Sequence, residues 1–329
     1  MEPMLAKAVA DVPLPDSVEG GLLYEPKWDG FRGIVSFDGT TVEIGSRGSK
    51  PLTRYFPELV AAFTEQLTEP CVLDGEIILR TGNRLDWEAL SQRIHPADSR
   101  INKLSAETPA SFVAFDLLTD PHLPFIDRRA ALEKLPLNAP LHISQVTNDF
   151  NTAQRWLEEF EGAGLDGVVA KPLAAAYAPG KRVMLKIKHH RTADVIALGY
   201  RVHKSGAGVG SLLVGLYDGE TLKNVGGISA FSNARRLELI DELEPLVTRT
   251  DGVAATGETE RNRFSSGKDV SFVSLAPERV IEVRYDQMEG ERFRHTVQFE
   301  RWRPDREPQS CTFDQLEVPA KYDLSKVLL

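Results

Sequence analysis

Two cysteines, Cys71 and Cys311, are too few for a disulfide framework, and their spacing does not suit a zinc site. No apolar run approaches the ~18 residues that a membrane-spanning helix needs, so no membrane partner is expected. The segment Met1–Asp11 has no basic stretch followed by an apolar one, which argues against a secretory signal. These absences predict a cytoplasmic protein. No strand–turn–helix nucleophile elbow supports Ser/His/Asp catalysis, and neither an internal repeat nor a low-complexity segment is present. The chain is not basic either: 39 Lys and Arg stand against 48 Asp and Glu, for a net charge of −9. A protein that binds nucleic acid over its whole surface is usually positive.

What the chain does contain is a sizeable apolar fraction, 42% of 329 residues, enough for two domains with cores of their own. Two stretches are locally basic. Lys181–Lys204 carries seven Lys and Arg and one acid, Asp194; Arg292–Arg306 carries five arginines against Glu300 and Asp305. Basic islands in an acidic body suit an anionic ligand held locally, although a solvated charged face gives the same pattern.

Alternation over Phe31–Phe37 and again at Val42 and Ile44, with Asp38-Gly39 between, predicts a hairpin. Pro57–Gln66 reads as a helix opened by its proline, Asp86–Arg93 as a second, and residues 151–161 as a third stopped at Gly162 and Gly164. Strands are expected at Cys71–Leu79, Ser111–Leu118, Gly167–Lys171 and Val183–Lys188. Near residue 190 the texture changes. Strands at Thr192–Tyr200, Ser211–Tyr217, Arg279–Tyr285 and Arg294–Arg301, with one helix at Ser232–Val247, fit a small β-barrel of the OB type. Thr248–Lys268 is polar and expected to be mobile. Gly206, Gly208 and Gly210 do not make GxGxxG and read as a hairpin loop.

The most informative segment is Tyr24–Arg32, YEPKWDGFR, in which Lys27 and Asp29 lie two apart and Gly30 permits a turn or a close backbone approach. Companions follow in order: Ser46-Arg47-Gly48, Leu73-Asp74-Gly75-Glu76, Phe115-Asp116, Asp166-Gly167-Val168-Val169-Ala170-Lys171, Lys186-Ile187-Lys188 and Arg301–Arg306. On these residues the sequence resembles the covalent nucleotidyltransferases, the superfamily of ATP-dependent DNA ligases, RNA ligases and mRNA capping enzymes. It looks most like the small bacterial C-type ATP-dependent DNA ligases related to end-joining ligases. The resemblance runs from Pro3-Met4-Leu5-Ala6 to Arg303-Pro304-Asp305-Arg306, nearly the whole chain.

The resemblance implies an α+β architecture: an antiparallel-sheet, ATP-grasp-like nucleotidyltransferase domain over residues 1–190, then an OB-fold β-barrel over 191–329. It implies that Lys27 becomes lysyl-AMP, assisted by Asp29. Glu25 would lie against the adenine and Phe115 would stack on it. Glu76 would take ribose hydroxyls, and Arg32 and Arg47 phosphate and ribose groups of nucleotide or nick. Asp166 would coordinate the metal, Mg²⁺ or Mn²⁺, with Lys171, Lys186 and Lys188 around the α-phosphate. Arg301, Arg303 and Asp305 match the motif that engages ATP during enzyme adenylation. Three positions depart from the pattern: Asp166 where Glu is usual, Arg306 where Lys is common, and Met184 where many relatives carry an aromatic residue.

The chemistry of these residue types agrees. A lysine amine has an ordinary pKa near 10.4, so at pH 7 roughly one in 2,500 is an unprotonated nucleophile. Cations gathered nearby, here Lys171, Lys188 and a metal, disfavour the charged amine and also neutralise phosphate charge as the transition state forms. The resemblance therefore implies nicked duplex DNA as partner and ATP as donor, in repair, with recruiting proteins and a monomeric chain. Only 26 residues precede Lys27, too few for a nicotinamide-recognising domain. Rival readings are an RNA ligase, a GTP-using capping enzyme, or a nucleic-acid-binding module with an inactive catalytic domain. His189-His190 has no metal-spaced partner and reads as a solvated or phosphate-contacting pair, and Trp28, Trp156 and Trp302 as packing residues.

Overall fold

The computed structural model describes residues 2–48, 50–259 and 270–328. The chain forms two units, Met1–Lys188 with Pro319–Leu329, and His189–Val318. The expected boundary near 190 thus lies at 188/189. The described residues from Pro319 onward, expected in the second domain, group with the first.

Two sheets build the first unit. One has the strands β1 (Leu5–Val9), β2 (Leu22–Pro26), β8 (Val168–Pro172) and β9 (Arg182–Ile187) in the order β1-β9-β8-β2, with β1 parallel to β9 and the other pairs antiparallel. The other has β3 (Phe31–Phe37), β4 (Val42–Ser46), β5 (Cys71–Ile78), β6 (Ser111–Leu117) and β7 (Leu141–Ile143) in the order β4-β3-β5-β6-β7. Only β6 and β7 run parallel in it.

The β3–β4 hairpin turns at Asp38, whose carboxylate accepts from the N–H groups of Thr40 and Thr41, with Gly39 at φ +98°. Helix α1 (Pro57–Gln66) buries Leu59, Ala62 and Phe63 against this sheet; each fully buried large side chain contributes about 1.5–3 kcal/mol. Helix α2 (Trp87–Ser91) is shorter than expected and is capped by Asp86, which accepts from Ala89 N at 2.8 Å. Helices α3 (Asp98–Glu107) and α4 (Phe125–Leu132) were not anticipated. Helix α5 (Phe150–Glu159) is capped by Asp149 and ends in a 3₁₀ turn at left-handed Gly164. The tail inserts Leu324 and Val327 into a cluster with Trp28, Ile78, Val113, Phe115 and Phe160.

The second unit is a β-barrel with one flanking helix. Strands β10 (Arg191–Val202), β11 (Val209–Asp218), β12 (Thr221–Ile228), β13 (Thr256–Glu258) and β14 (Ser271–Ser274) run in the order β12-β11-β10-β14-β13. The long β10 also pairs with β15 (Val280–Tyr285), which pairs with β16 (Gln298–Trp302). A bridge between Ile228 and Val297 joins the two edges and closes the barrel. Helix α6 (Asn233–Leu243) covers it with Leu239 and Leu243 and ends sooner than expected, because Pro245 has no N–H to continue the ladder. The strand expected at Arg294–Arg301 begins later, as β16 from Gln298 to Trp302, and a small hairpin turning at Gly290 precedes it. Of the stretch expected to be mobile, residues 260–268 lie outside the described residues, and short strands occur before them. Among the described residues no helix is long and apolar enough to cross a membrane.

Candidate active site

A cavity of about 940 Å³ opens between the two sheets of the first unit. Its walls carry Glu25, Lys27, Arg32, Arg47, Glu76, Phe115, Lys171, Met184 and Lys186, drawn from both sheets. Ligand sites of small molecules typically occupy about 300–1,000 Å³, so a nucleotide has room.

Lys27 follows directly on β2, and its loop is locked to the one before β8. Lys27 N donates to Gly167 O at 2.8 Å, and Asp166 N donates to Lys27 O at 3.0 Å. Gly167 has φ +121°, and a Cβ there would lie 2.0 Å from Ile187 O, so only glycine permits this approach. The reciprocal bonds bring the side chains together: Lys27 Nζ lies 2.5 Å and Lys188 Nζ 2.8 Å from the same Asp166 oxygen. Burial pulls the Asp166 carboxyl upward, but the two ammonium groups outweigh it and hold it below the usual carboxylate range. Lys186, on β9, is shifted the other way: burial first, then Lys27 and Lys188, push its ammonium below the ordinary lysine range.

Gly30 makes the close approach allowed for it. A Cβ there would lie 2.0 Å from Ile77 O, and its N–H donates to Glu76 Oε1 at 3.1 Å. Burial raises the Glu76 carboxyl to about 7 despite Arg32 and Lys27, with Asp29 and Asp74 adding to the rise. Asp29 therefore stands close enough to Glu76 to act on its charge, although it is not on the cavity wall. Trp28 is a packing residue, buried with its indole N–H on Ser144 Oγ at 2.9 Å.

Lys171 lines the same cavity but meets different partners. Its ammonium is buried against the Glu25 carboxylate and donates to Phe115 O at 3.1 Å, rather than joining Lys27 and Lys188. Burial keeps the Glu25 carboxyl above its usual range in spite of that partner. Glu25 Oε2 is buried with no hydrogen-bond partner among the described residues, an acceptor suited to an exocyclic amine of a base. Phe115 has both Lys171 Nζ and the Arg32 guanidinium 4.6 Å from its ring centroid. Arg32 itself is held bidentate by Asp74, at 2.5 and 2.6 Å. Arg47 is exposed in the turn after β4.

Among the described residues no three Asp, Glu, His or Cys side chains cluster as metal ligands, His189 and His190 included. Asp166 offers a carboxylate within hydrogen-bond distance of Lys27. Mg²⁺ commonly binds through one or two carboxylates plus substrate phosphates, keeping several waters, so a single acid fits such an ion with a nucleotide present.

In the second unit, Arg303 is engaged on all sides: its Nε and Nη2 bond Asp305 at 2.9 and 2.8 Å, and Nη1 lies 3.0 Å from Asp194. Arg306 reaches Asp194 at 3.2 Å, and Arg301 pairs with Glu282. Pairing with Arg303 brings the Asp305 carboxyl down to about 2. Sequence reasoning did not find Tyr177, whose hydroxyl bonds Asp74 at 2.7 Å; a lone aromatic in a loop carries no signal of that contact.

Comparison with known proteins identifies the family. The family model described as ATP dependent DNA ligase domain matches residues 3–188, and that described as ATP dependent DNA ligase C terminal region matches 205–306. The chain is 54% identical to DNA ligase C of Mycobacterium tuberculosis over 353 residues, covering 100% of this chain and 97% of that one. It is likewise 54% identical to DNA ligase C2 of Mycolicibacterium smegmatis, covering 97% and 95%. A solved structure of a Lig E DNA ligase shares the fold, with a TM-score of 0.59 at 16% identity over 92% of this chain and 99% of that one. A lysine-centred cavity between two sheets, a following β-barrel and these matches over nearly the full length place the chain in the ATP-dependent DNA ligase family.

Proposed function

We propose that Lys27 is the nucleophile of a three-step nick-sealing reaction. The observation that carries this is the Lys27–Asp166–Lys188 array beside a nucleotide-sized cavity. Lys27 Nζ attacks the α-phosphorus of ATP; a P–N bond forms and pyrophosphate leaves. The AMP then passes to the 5′-phosphate of a nick, and finally the 3′-hydroxyl attacks that phosphate and releases AMP. Glu25 Oε2 accepts from the adenine amine, Phe115 flanks the base, and Glu76 accepts from the ribose. Arg32 and Arg47 hold phosphate and ribose groups, and Lys186 and Lys188 neutralise the α-phosphate. Lys171, buried behind Glu25 and Phe115, holds these two in place rather than meeting phosphate. Asp29 keeps the Lys27 loop and Glu76 in one electrostatic unit.

A divalent cation, Mg²⁺ or Mn²⁺, bound at Asp166 would supply charge to the phosphate. Without the Asp166 charge to favour its ammonium form, Lys27 would more readily give up its proton and become the free amine that attacks. Arg301, Arg303 and Asp305 serve the adenylation step. The partner is nicked duplex DNA. With a net charge of −9, binding by the isolated monomer is weak and salt-sensitive, and repair proteins recruit it.

Labelled ATP and GTP, offered in parallel with nicked duplex and Mg²⁺, test the reading. Covalent label from ATP followed by a sealed strand is expected. Label from GTP alone, or bound nicked DNA with no label from either nucleotide, contradicts it.

A further inference from the structure

Beneath the cavity wall lies a buried polar ladder of which the three reaction steps use only Arg32. Strands β5 and β6 place Asp74 opposite Asp116. Each acid is almost fully buried and takes one arginine bidentate: Asp74 holds Arg32, and Asp116 holds Arg128 at 2.8 and 2.9 Å. Tyr177 stands between the two pairs. Its hydroxyl donates to Asp74 Oδ2 at 2.7 Å and accepts from Met4 N at 2.8 Å, while the Arg128 guanidinium lies 5.8 Å from its ring. Met4 O accepts from Arg32 Nη2 at 3.3 Å, closing a circuit of Arg32, Asp74, Tyr177 and Met4. Burial and the Asp74 charge hold the phenol well above its usual range, so it stays a donor. Arg32 Nη1 is left without a hydrogen-bond partner among the described residues, and Arg32, Met4 and Phe115 all line the cavity.

We propose that Tyr177 is a positioning residue for ATP binding: through Asp74 and Met4 it fixes the plane of Arg32 and seats the amino-terminal strand against the nucleotide cavity. This rests on the reading that Arg32 meets the nucleotide. A guanidinium fixed by three neutral or anionic partners presents its remaining edge in one orientation, so less freedom is lost when phosphate or ribose arrives. Tyr177 touches neither Lys27 nor Asp166, so it governs binding of ATP and not the chemical step.

Rates of lysyl-AMP formation are measured against ATP concentration for the full chain, Tyr177→Phe, Arg32→Ala and the double variant, each checked by its melting curve. Tyr177→Phe, which removes the hydroxyl's two hydrogen bonds, is expected to raise the half-saturating ATP concentration about three- to tenfold and to leave the saturated rate within about twofold. In the Arg32→Ala background the same change is expected to add nothing. An equal factor in both backgrounds, or no change from Tyr177→Phe in the parent, overturns the proposal. If Arg32→Ala itself leaves half-saturation unchanged, it is the reading of Arg32 that fails.

Discussion

Burial of the Glu76 carboxyl, helped by Asp29 and Asp74 and opposed by Arg32 and Lys27, puts its titration at about 7 against an ordinary 4.5. The folded chain therefore binds more protons at this site than the unfolded chain between those two values. Stability from this group is present below about 4.5 and is lost as pH rises through about 7. Melting temperatures recorded from pH 5 to pH 8 should fall with pH in the parent and fall less steeply in Glu76→Gln. An identical slope in the variant would assign the proton elsewhere. The same carboxyl, once ionised, is the better acceptor for two ribose hydroxyls, which links the pH dependence to the nucleotide site.

Elements place these residues through backbone contacts that tolerate no side chain. Gly167→Ala would force a Cβ within 2.0 Å of Ile187 O at a φ of +121°. The Lys27 and Asp166 loops would have to part, so lysyl-AMP formation should fall at least about tenfold, as misplacing a reacting group does. A label-transfer rate equal to the parent's would show that the pairing of these loops is dispensable. Leu324→Ala, which empties a buried site in the tail, should cost about 2–5 kcal/mol of stability, read by denaturant unfolding. A loss below this range would mean that the tail only rests on the first unit.

The elements read well from sequence are those with a plain period or a local turn. The Asp38-Gly39 hairpin and α1 needed nothing beyond themselves. Helix α4 was missed because Arg128 and Arg129 occupy buried positions and break the apolar pattern; Asp116 and the Leu123 carbonyl make the first tolerable and Glu133 the second. Helix α3 buries just Ile101 and Leu104, and β2 buries Tyr24, Glu25 and Pro26 in succession, so neither shows its period. The charged residues of the site stand in short, ordered motifs and were legible. Their partners were not: Tyr177 meets Asp74 across 103 residues of sequence, and Lys171 turns to Glu25 because β8 pairs with β2.

At the scale of the whole molecule, the second unit leaves the first after Lys188, and the chain returns to it at Pro319. The motif arginines of that unit are held by acids of the same unit, Arg303 by Asp194 and Asp305. Their proposed service is confined to the step in which pyrophosphate leaves. Arg303→Ala should therefore slow lysyl-AMP formation far more than sealing of a nick already carrying AMP. Equal losses in both steps would instead make β16 and the residues after it a DNA-binding surface.

In the proposed reaction Lys27 itself carries the AMP. Peptide mapping by mass spectrometry after incubation with ATP and Mg²⁺ tests it most directly. One AMP per chain on the peptide containing Lys27, and none in a folded Lys27→Ala variant, is the expected result. An adduct that persists in that variant, or that maps to Lys171, Lys186 or Lys188, would contradict it.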